Sequence, residues 1–107
     1  MAELDLIIEG GTVANAADTT QADVGIKDGR IAVLGTGLGS AARVIDASGM
    51  LVLPGGVDAH CHIEQLSSFG LMTSDDFYSG SVSAAFGGTT SFVPFAAQHK
   101  GQSLREV

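Results

Sequence analysis

The residues of this 107-residue chain whose types and spacing could do chemistry lie together in Asp58-Ala59-His60-Cys61-His62. Side chains of an extended backbone alternate between faces. His60 and His62 therefore share a face, Asp58 joins them, and Cys61 lies opposite. Two imidazoles about 7 Å apart along a strand can converge on one divalent ion, and neutral imidazole is the commonest protein ligand for zinc-like metals. Asp58 suits a different task, that of a carboxylate fixing the strand end and the imidazole tautomer. Spacing alone leaves a second possibility open, that two of the chain's three histidines simply end a strand side by side. The metal reading gains from the apolar run and the Pro54-Gly55-Gly56 bend ahead of them, because polar groups at the carboxyl edge of a sheet line ligand crevices. Cys61 reads as a small buried hydrophobe. No Ser-x-Gly elbow or neighbouring base supports covalent catalysis.

The elements that must deliver this cluster are a strand over residues 51–57, a helix and a second strand. Asp75 and Asp76 open the helix over Phe77–Phe86, with Thr73 or Ser74 as the hydroxyl cap. Val82, Ala85 and Phe86 fall on one face at helical spacing, and Gly87-Gly88 closes the helix. Tyr78 reads as core or interface. A second β-rich run spans residues 89–95, and residues 101–104 look like the start of another helix. Strand, loop, helix, strand is the βαβ pattern of a parallel sheet. Such a sheet needs cover on both faces, so this half is expected to belong to something longer.

The first half obeys another grammar. Short β-rich runs over residues 4–9, 12–13, 23–27, 30–34, 43–46 and 50–53 alternate with glycine-bearing turns, and residues 15–21 read as a polar loop. Asp28-Gly29 between two such runs marks a two-residue hairpin, because a type I′ turn needs positive φ at both central positions. Residues 43–46 and 50–53 are expected to pair through Ala47-Ser48-Gly49, making a small, mostly antiparallel sheet. Gly35-Thr36-Gly37-Leu38-Gly39 has the spacing of a phosphate-cradling loop, but the residues behind it start a strand where that motif needs a helix. The expected division is 1–53 as a small stranded segment and 54–107 as the strand-helix-strand segment.

Composition narrows the function classes. Lys and Arg number 5 against 12 Asp and Glu, a net charge of −7, and no basic stripe exists to displace counterions from nucleic-acid phosphates. Hydrophobic residues reach 45%, too many for a disordered polyelectrolyte. A lone cysteine cannot form an internal disulfide. Met1-Ala2-Glu3-Leu4-Asp5 carries no basic stretch ahead of an apolar one, and no run approaches the ~20 apolar residues of a membrane span. The expectation is a cytoplasmic protein without nucleic-acid or membrane partners.

Three segments in order, Pro54-Gly55-Gly56-Val57-Asp58-Ala59-His60-Cys61-His62, Thr73-Ser74-Asp75-Asp76-Phe77 and Ala84-Ala85-Phe86-Gly87-Gly88-Thr89-Thr90, resemble the cyclic-amide branch of the metal-dependent amidohydrolases. That branch holds hydantoinases, dihydropyrimidinases and bacterial imidases. The segments Asp5-Leu6-Ile7-Ile8-Glu9-Gly10-Gly11-Thr12-Val13 and Ile26-Lys27-Asp28-Gly29-Arg30-Ile31 are similar to the family's amino-terminal sheet. The resemblance implies an α/β protein in which a β-sandwich, built from both chain ends, flanks a (β/α)8 TIM-like barrel of which this chain holds the first strand-helix-strand. It implies that His60 and His62 hold the more buried ion of a binuclear zinc site. It also implies a bridging carboxylated lysine, two further histidines and an acid–base aspartate, none of which this chain can be assigned; neither His99 nor Lys100 matches the motif. The implied substrate is a small cyclic amide or imide and the implied assembly a homo-oligomer.

Many hydantoinases have Thr between the histidines and Asp two residues after the second, where this chain has Cys61 and Glu64. Glu64-Gln65 offers no cation of the kind a dihydroorotase uses to hold a substrate carboxylate. By the same resemblance Leu66, Phe69 and Leu71 border the pocket for the ring substituent, with plain loop packing equally open. Two alternatives stand beside the hydrolase. One is a catalytically inert fragment or oligomerising module with a partial metal site; the other is a mononuclear site using Glu64 or His99 as third ligand.

Overall fold

The computed structural model describes residues 4–107, with nine strands and one helix among them. Met1, Ala2 and Glu3, which entered the reading of the chain start, lie outside the described residues. The chain divides into two compact units, Met1–Pro54 and Gly55–Val107.

The first unit holds seven strands: β1 Leu4–Glu9, β2 Thr12–Ala14, β3 Thr19–Gln21, β4 Asp23–Lys27, β5 Arg30–Gly35, β6 Ala41–Asp46 and β7 Leu51–Val52. They form a four-stranded sheet in the order β5-β4-β1-β6 and a three-stranded sheet in the order β3-β2-β7. Ile7, Val24 and Ala47 are its buried apolar residues. Gly25 sits opposite Ile7 in the β1/β4 ladder, and any side chain there would meet Val33 and Leu4. An apolar hollow of about 250 Å³ is lined by Ile8, Val24 and Ile31 of the larger sheet and by Val13 and Val52 of the smaller.

The Asp28-Gly29 turn forms as its sequence dictates, with φ of 51° and 70°. Asp5 holds it from the neighbouring strand, one carboxylate oxygen 2.9 Å from Lys27 Nζ and the other accepting from the Asp28 amide at 2.7 Å. The Lys27 ammonium, and then the Asp28 amide, hold the Asp5 carboxyl below its ordinary value.

Two expectations about this unit are corrected. Residues 15–21 are not all loop, because Thr19–Gln21 pairs antiparallel with β2; β-branched Thr19 and Thr20 carry that tendency inside a polar stretch. Residues 43–46 and 50–53 do not pair with each other: β6 runs parallel to β1 and β7 parallel to β2. Ala47-Ser48-Gly49 is therefore a crossing between sheets, turned by Gly49 at φ 76°, and the larger sheet is mixed. The glycine loop behind β5 is held by a carboxylate, since Asp23 accepts from the amides of Gly10 and Gly37 at 3.0 Å.

The second unit is a strand-helix-strand: β8 Gly56–Cys61, α1 Phe77–Phe86 and β9 Thr89–Pro94, with β8 and β9 parallel. The single run expected over residues 51–57 is two strands, broken at Pro54, which has no amide hydrogen to give a ladder. Asp76, one residue before the helix, is its cap and accepts from Ser79 N at 2.7 Å. The expected hydroxyl of Thr73 instead accepts from Gln65 N. Gly88 supplies the left-handed residue after the helix, at φ 84°. Residues 101–104 form turns, not a helix.

The Ser79 amide draws the Asp76 carboxyl below its ordinary value. The ionised cap thus stabilises the helix above the usual carboxylate range, and that contribution is lost as pH falls through the lowered value. Asp76→Asn keeps a capping oxygen without a titrating proton. It is expected to flatten the acid limb of helix loss followed by circular dichroism; an acid midpoint identical to the parent's would contradict the cap's role.

Candidate metal centre

The cluster sits where a parallel strand ends. His60 lies in β8, and His62 is one residue past it. The β8/β9 ladder is irregular between Asp58 and Cys61, and this breaks the strict alternation assumed from sequence. His60 and His62 still lie together, with ring centroids 5.5 Å apart and planes at 66°. Both residues are solvent-exposed.

A phenyl ring carries the pair. Phe95 comes directly after β9, and its amide donates to the Cys61 carbonyl at 3.1 Å, which continues the parallel ladder to the histidines. His62 stacks on Phe95 at 4.6 Å with planes 6° apart, and His60 meets it edge-on at 4.7 Å. His62 Nδ1 lies 2.7 Å from Gln65 Oε1. Sequence reasoning missed both Phe95 and Gln65. The signal for Phe95 was available: in a parallel pair joined by one helix, the residues just beyond the two strand ends are neighbours.

The Asp58 carboxylate accepts from the His60 amide at 3.0 Å, so it shapes the backbone at the strand end. With Cys61, Asp75, Ser83 and Phe92 it lines a separate hollow of about 270 Å³. Asp58 and Cys61 are thus companions, not residues on opposite faces. Burial, and then the Asp58 charge, push the Cys61 thiol above its ordinary value, the opposite of what a nucleophilic thiolate needs.

Residues 62–76 form a tongue. Leu66 and Met72 make an isolated antiparallel bridge, closed by Ser67 N to Leu71 O at 2.8 Å and turned at Gly70 with φ 77°. Leu66, Phe69 and Leu71 are all exposed to solvent, Phe69 at 89%.

Two adjacent, accessible imidazoles fit one side of a divalent-ion site. Among the described residues no group of three or more His, Cys, Asp or Glu side chains converges to hold an ion. The donor set is a pair, and two imidazoles alone bind metal weakly compared with the three or four protein ligands of a zinc site.

Known proteins resemble this chain in sequence and in fold. No family model matches the chain. It is 50% identical over 104 residues to a D-hydantoinase of Rhizobium radiobacter, covering 97% of this chain and 22% of that protein. A dihydropyrimidinase of Rattus norvegicus is 42% identical over 108 residues, covering 95% and 21%. A solved D-hydantoinase superposes with a TM-score of 0.90 at 47% identity, covering 96% of this chain and 22% of that one. Over nearly its whole length the chain is similar to an amino-terminal portion of hydantoinases and dihydropyrimidinases. Its mostly stranded fold with one helix matches the amino-terminal part of the solved hydantoinase. It spans about a fifth of the length of these hydantoinase relatives. A more distant structure, an N-acyl-D-glutamate deacylase of Bordetella bronchiseptica complexed with zinc, superposes with a TM-score of 0.54 at 40% identity over 60% of this chain and 14% of that one. Among the described residues no helix is long and apolar enough to cross a membrane.

Proposed function

We propose that this chain is the opening of a metal-dependent hydrolase that cleaves the C–N bond of a small cyclic amide or imide. Residues 1–53 are its β-sandwich segment, and 54–107 the first strand-helix-strand of a (β/α)8 barrel. The observation that carries the reading is the side-by-side placement of His60 and His62 at the carboxyl end of a parallel strand, where barrel enzymes gather their catalytic groups.

In this reading His60 and His62 would hold a zinc ion, Phe95 fixes the plane of their rings, and the Asp58 carboxylate shapes the backbone leading into His60. A divalent ion bound there supplies Lewis acidity toward the ring carbonyl and a water of lowered pKa. Addition of water across the ring C–N bond puts its hydroxyl on that carbonyl carbon and its remaining proton on the departing nitrogen as the bond breaks. The histidines of this chain hold metal and move no proton. Leu66, Phe69 and Leu71 border the pocket for the ring substituent, a use for the large apolar groups that the tongue exposes. The protein is a cytoplasmic homo-oligomer acting on a small molecule, without nucleic-acid or membrane partners.

The exposure of Val57, Tyr78, Phe86 and Val93 favours a second reading for the isolated chain, an inert piece that self-associates through open apolar surface. One assay serves both. The purified 107-residue chain, offered hydantoin, dihydrouracil and succinimide with zinc, is expected to open none of them. The same chain completed by the remaining four fifths of a D-hydantoinase is expected to turn over at least one. An inactive completed protein with metal bound would contradict the hydrolase reading, and turnover by the chain alone would contradict its being a portion of the catalytic unit.

A further inference from the structure

We infer that Gln65 is a positioning residue for His62, its side-chain oxygen holding the imidazole with the proton on Nδ1 and the lone pair on Nε2. This rests on the reading of His60 and His62 as metal ligands, and it names the residue that makes His62 ready for that task. A neutral imidazole carries one ring proton, and the other nitrogen is the only one able to ligate. Gln65 Oε1 lies 2.7 Å from His62 Nδ1. A carboxamide oxygen accepts and never donates, so Nδ1 is the donor and Nε2 is left with its lone pair. The 6° stack on Phe95 fixes the plane of the ring, while Gln65 fixes its rotation and tautomer.

Gln65 is itself held. Its amide donates to Thr73 Oγ1 at 3.0 Å, and its carbonyl accepts from Thr73 N at 3.0 Å. Glu64 beside it adopts φ 49°, and its carboxylate accepts from the Phe77 amide, the first of the helix, at 3.0 Å. The start of α1, the tongue and the His62 ring are thereby joined by consecutive hydrogen bonds. Glu64, in the left-handed region without being glycine, is the residue that turns the chain so Gln65 faces His62.

Removing a partner of this kind lowers metal affinity by about 10–100-fold. The test uses the 107-residue chain labelled with ¹⁵N in histidine, with long-range nitrogen–proton spectra recorded metal-free at pH 8. Wild type is expected to show His62 protonated on Nδ1. Gln65→Leu is expected to spread His62 over both tautomers and weaken zinc binding by about 10–100-fold. Gln65→Glu, which keeps the acceptor, is expected to restore both. A circular dichroism spectrum matching wild type qualifies each variant, and Gln65→Met replaces Gln65→Leu should the latter not fold. A merely structural role would not move the tautomer.

His62 protonated on Nε2 in wild type, or a tautomer and zinc affinity unchanged in Gln65→Leu, overturns the inference and leaves the hydrolase reading standing. Nδ1-protonated His62 in a protein completed with the rest of a D-hydantoinase that takes up no zinc upholds Gln65's hold on the ring and overturns the metal reading.

Discussion

His60→Ala, made in the protein completed with the rest of a D-hydantoinase, is expected to lower hydrolysis of the cyclic amide by more than about 100-fold, because loss of a mere hydrogen-bond partner of a ligand already costs about 10–100-fold. Among the described residues, His60 and His62 are the two histidines whose rings lie side by side at the strand end. With one gone, a single imidazole remains on this side of the ion. The fall should be in kcat together with bound zinc, and excess zinc should restore part of it. His62→Ala is expected to behave alike. His99→Ala, outside this cluster, is expected to leave the rate intact and serves as the control for damage to the fold. Full activity in His60→Ala would remove the pair from the mechanism.

The second large effect lies at Gly55. A Cβ built there falls 2.7 Å from Thr90 Cβ and nearer still to Thr90 Oγ1 and Cγ2. Thr is branched at Cβ, so turning χ1 exchanges one heavy atom for another without clearing the space. Backbone must move, and the backbone here is the start of β8, where Gly56 N donates to Gly88 O at 2.8 Å. Gly55→Ala is expected to cost about 1–3 kcal/mol or more, read as a lowered denaturant midpoint at unchanged slope. Thr90→Ala should recover part of the loss by removing the two nearest atoms. Gly29→Ala is the contrast: its Cβ would meet nothing within 4 Å, so its cost of about 1–2 kcal/mol comes from φ alone and Thr90→Ala cannot relieve it. Gly55→Ala within about 0.5 kcal/mol of wild type, an ordinary surface effect, would contradict the packing at this bend.

Much of this organisation was legible in the residues. The Asp28-Gly29 hairpin, the helix over Phe77–Phe86 and the strand after it came from turn chemistry and periodicity, which are local. Long-range pairing was not legible. Ala41–Asp46 chose Leu4–Glu9 as a parallel partner and Leu51–Val52 chose Thr12–Ala14, and no short-range signal separates that pattern from a hairpin through Ala47-Ser48-Gly49. The same limit applies at the site. His60 and His62 were visible from type and spacing. Asp58 was misplaced because strict alternation fails where the ladder is irregular. Phe95 is distant from His62 in the chain and reaches it only through the parallel register. Gln65 reaches His62 because Glu64 takes a left-handed turn that its residue type does not announce.

The most direct test of the paired-imidazole claim is X-ray absorption at the zinc edge of the zinc-loaded chain. The expected result is a first shell near the roughly 2.0–2.1 Å of imidazole nitrogen with outer-shell scattering from two rings, falling to one in His60→Ala and likewise in His62→Ala. Ring scattering that either replacement leaves unchanged would mean that the ion sits elsewhere and that these two histidines do not share it.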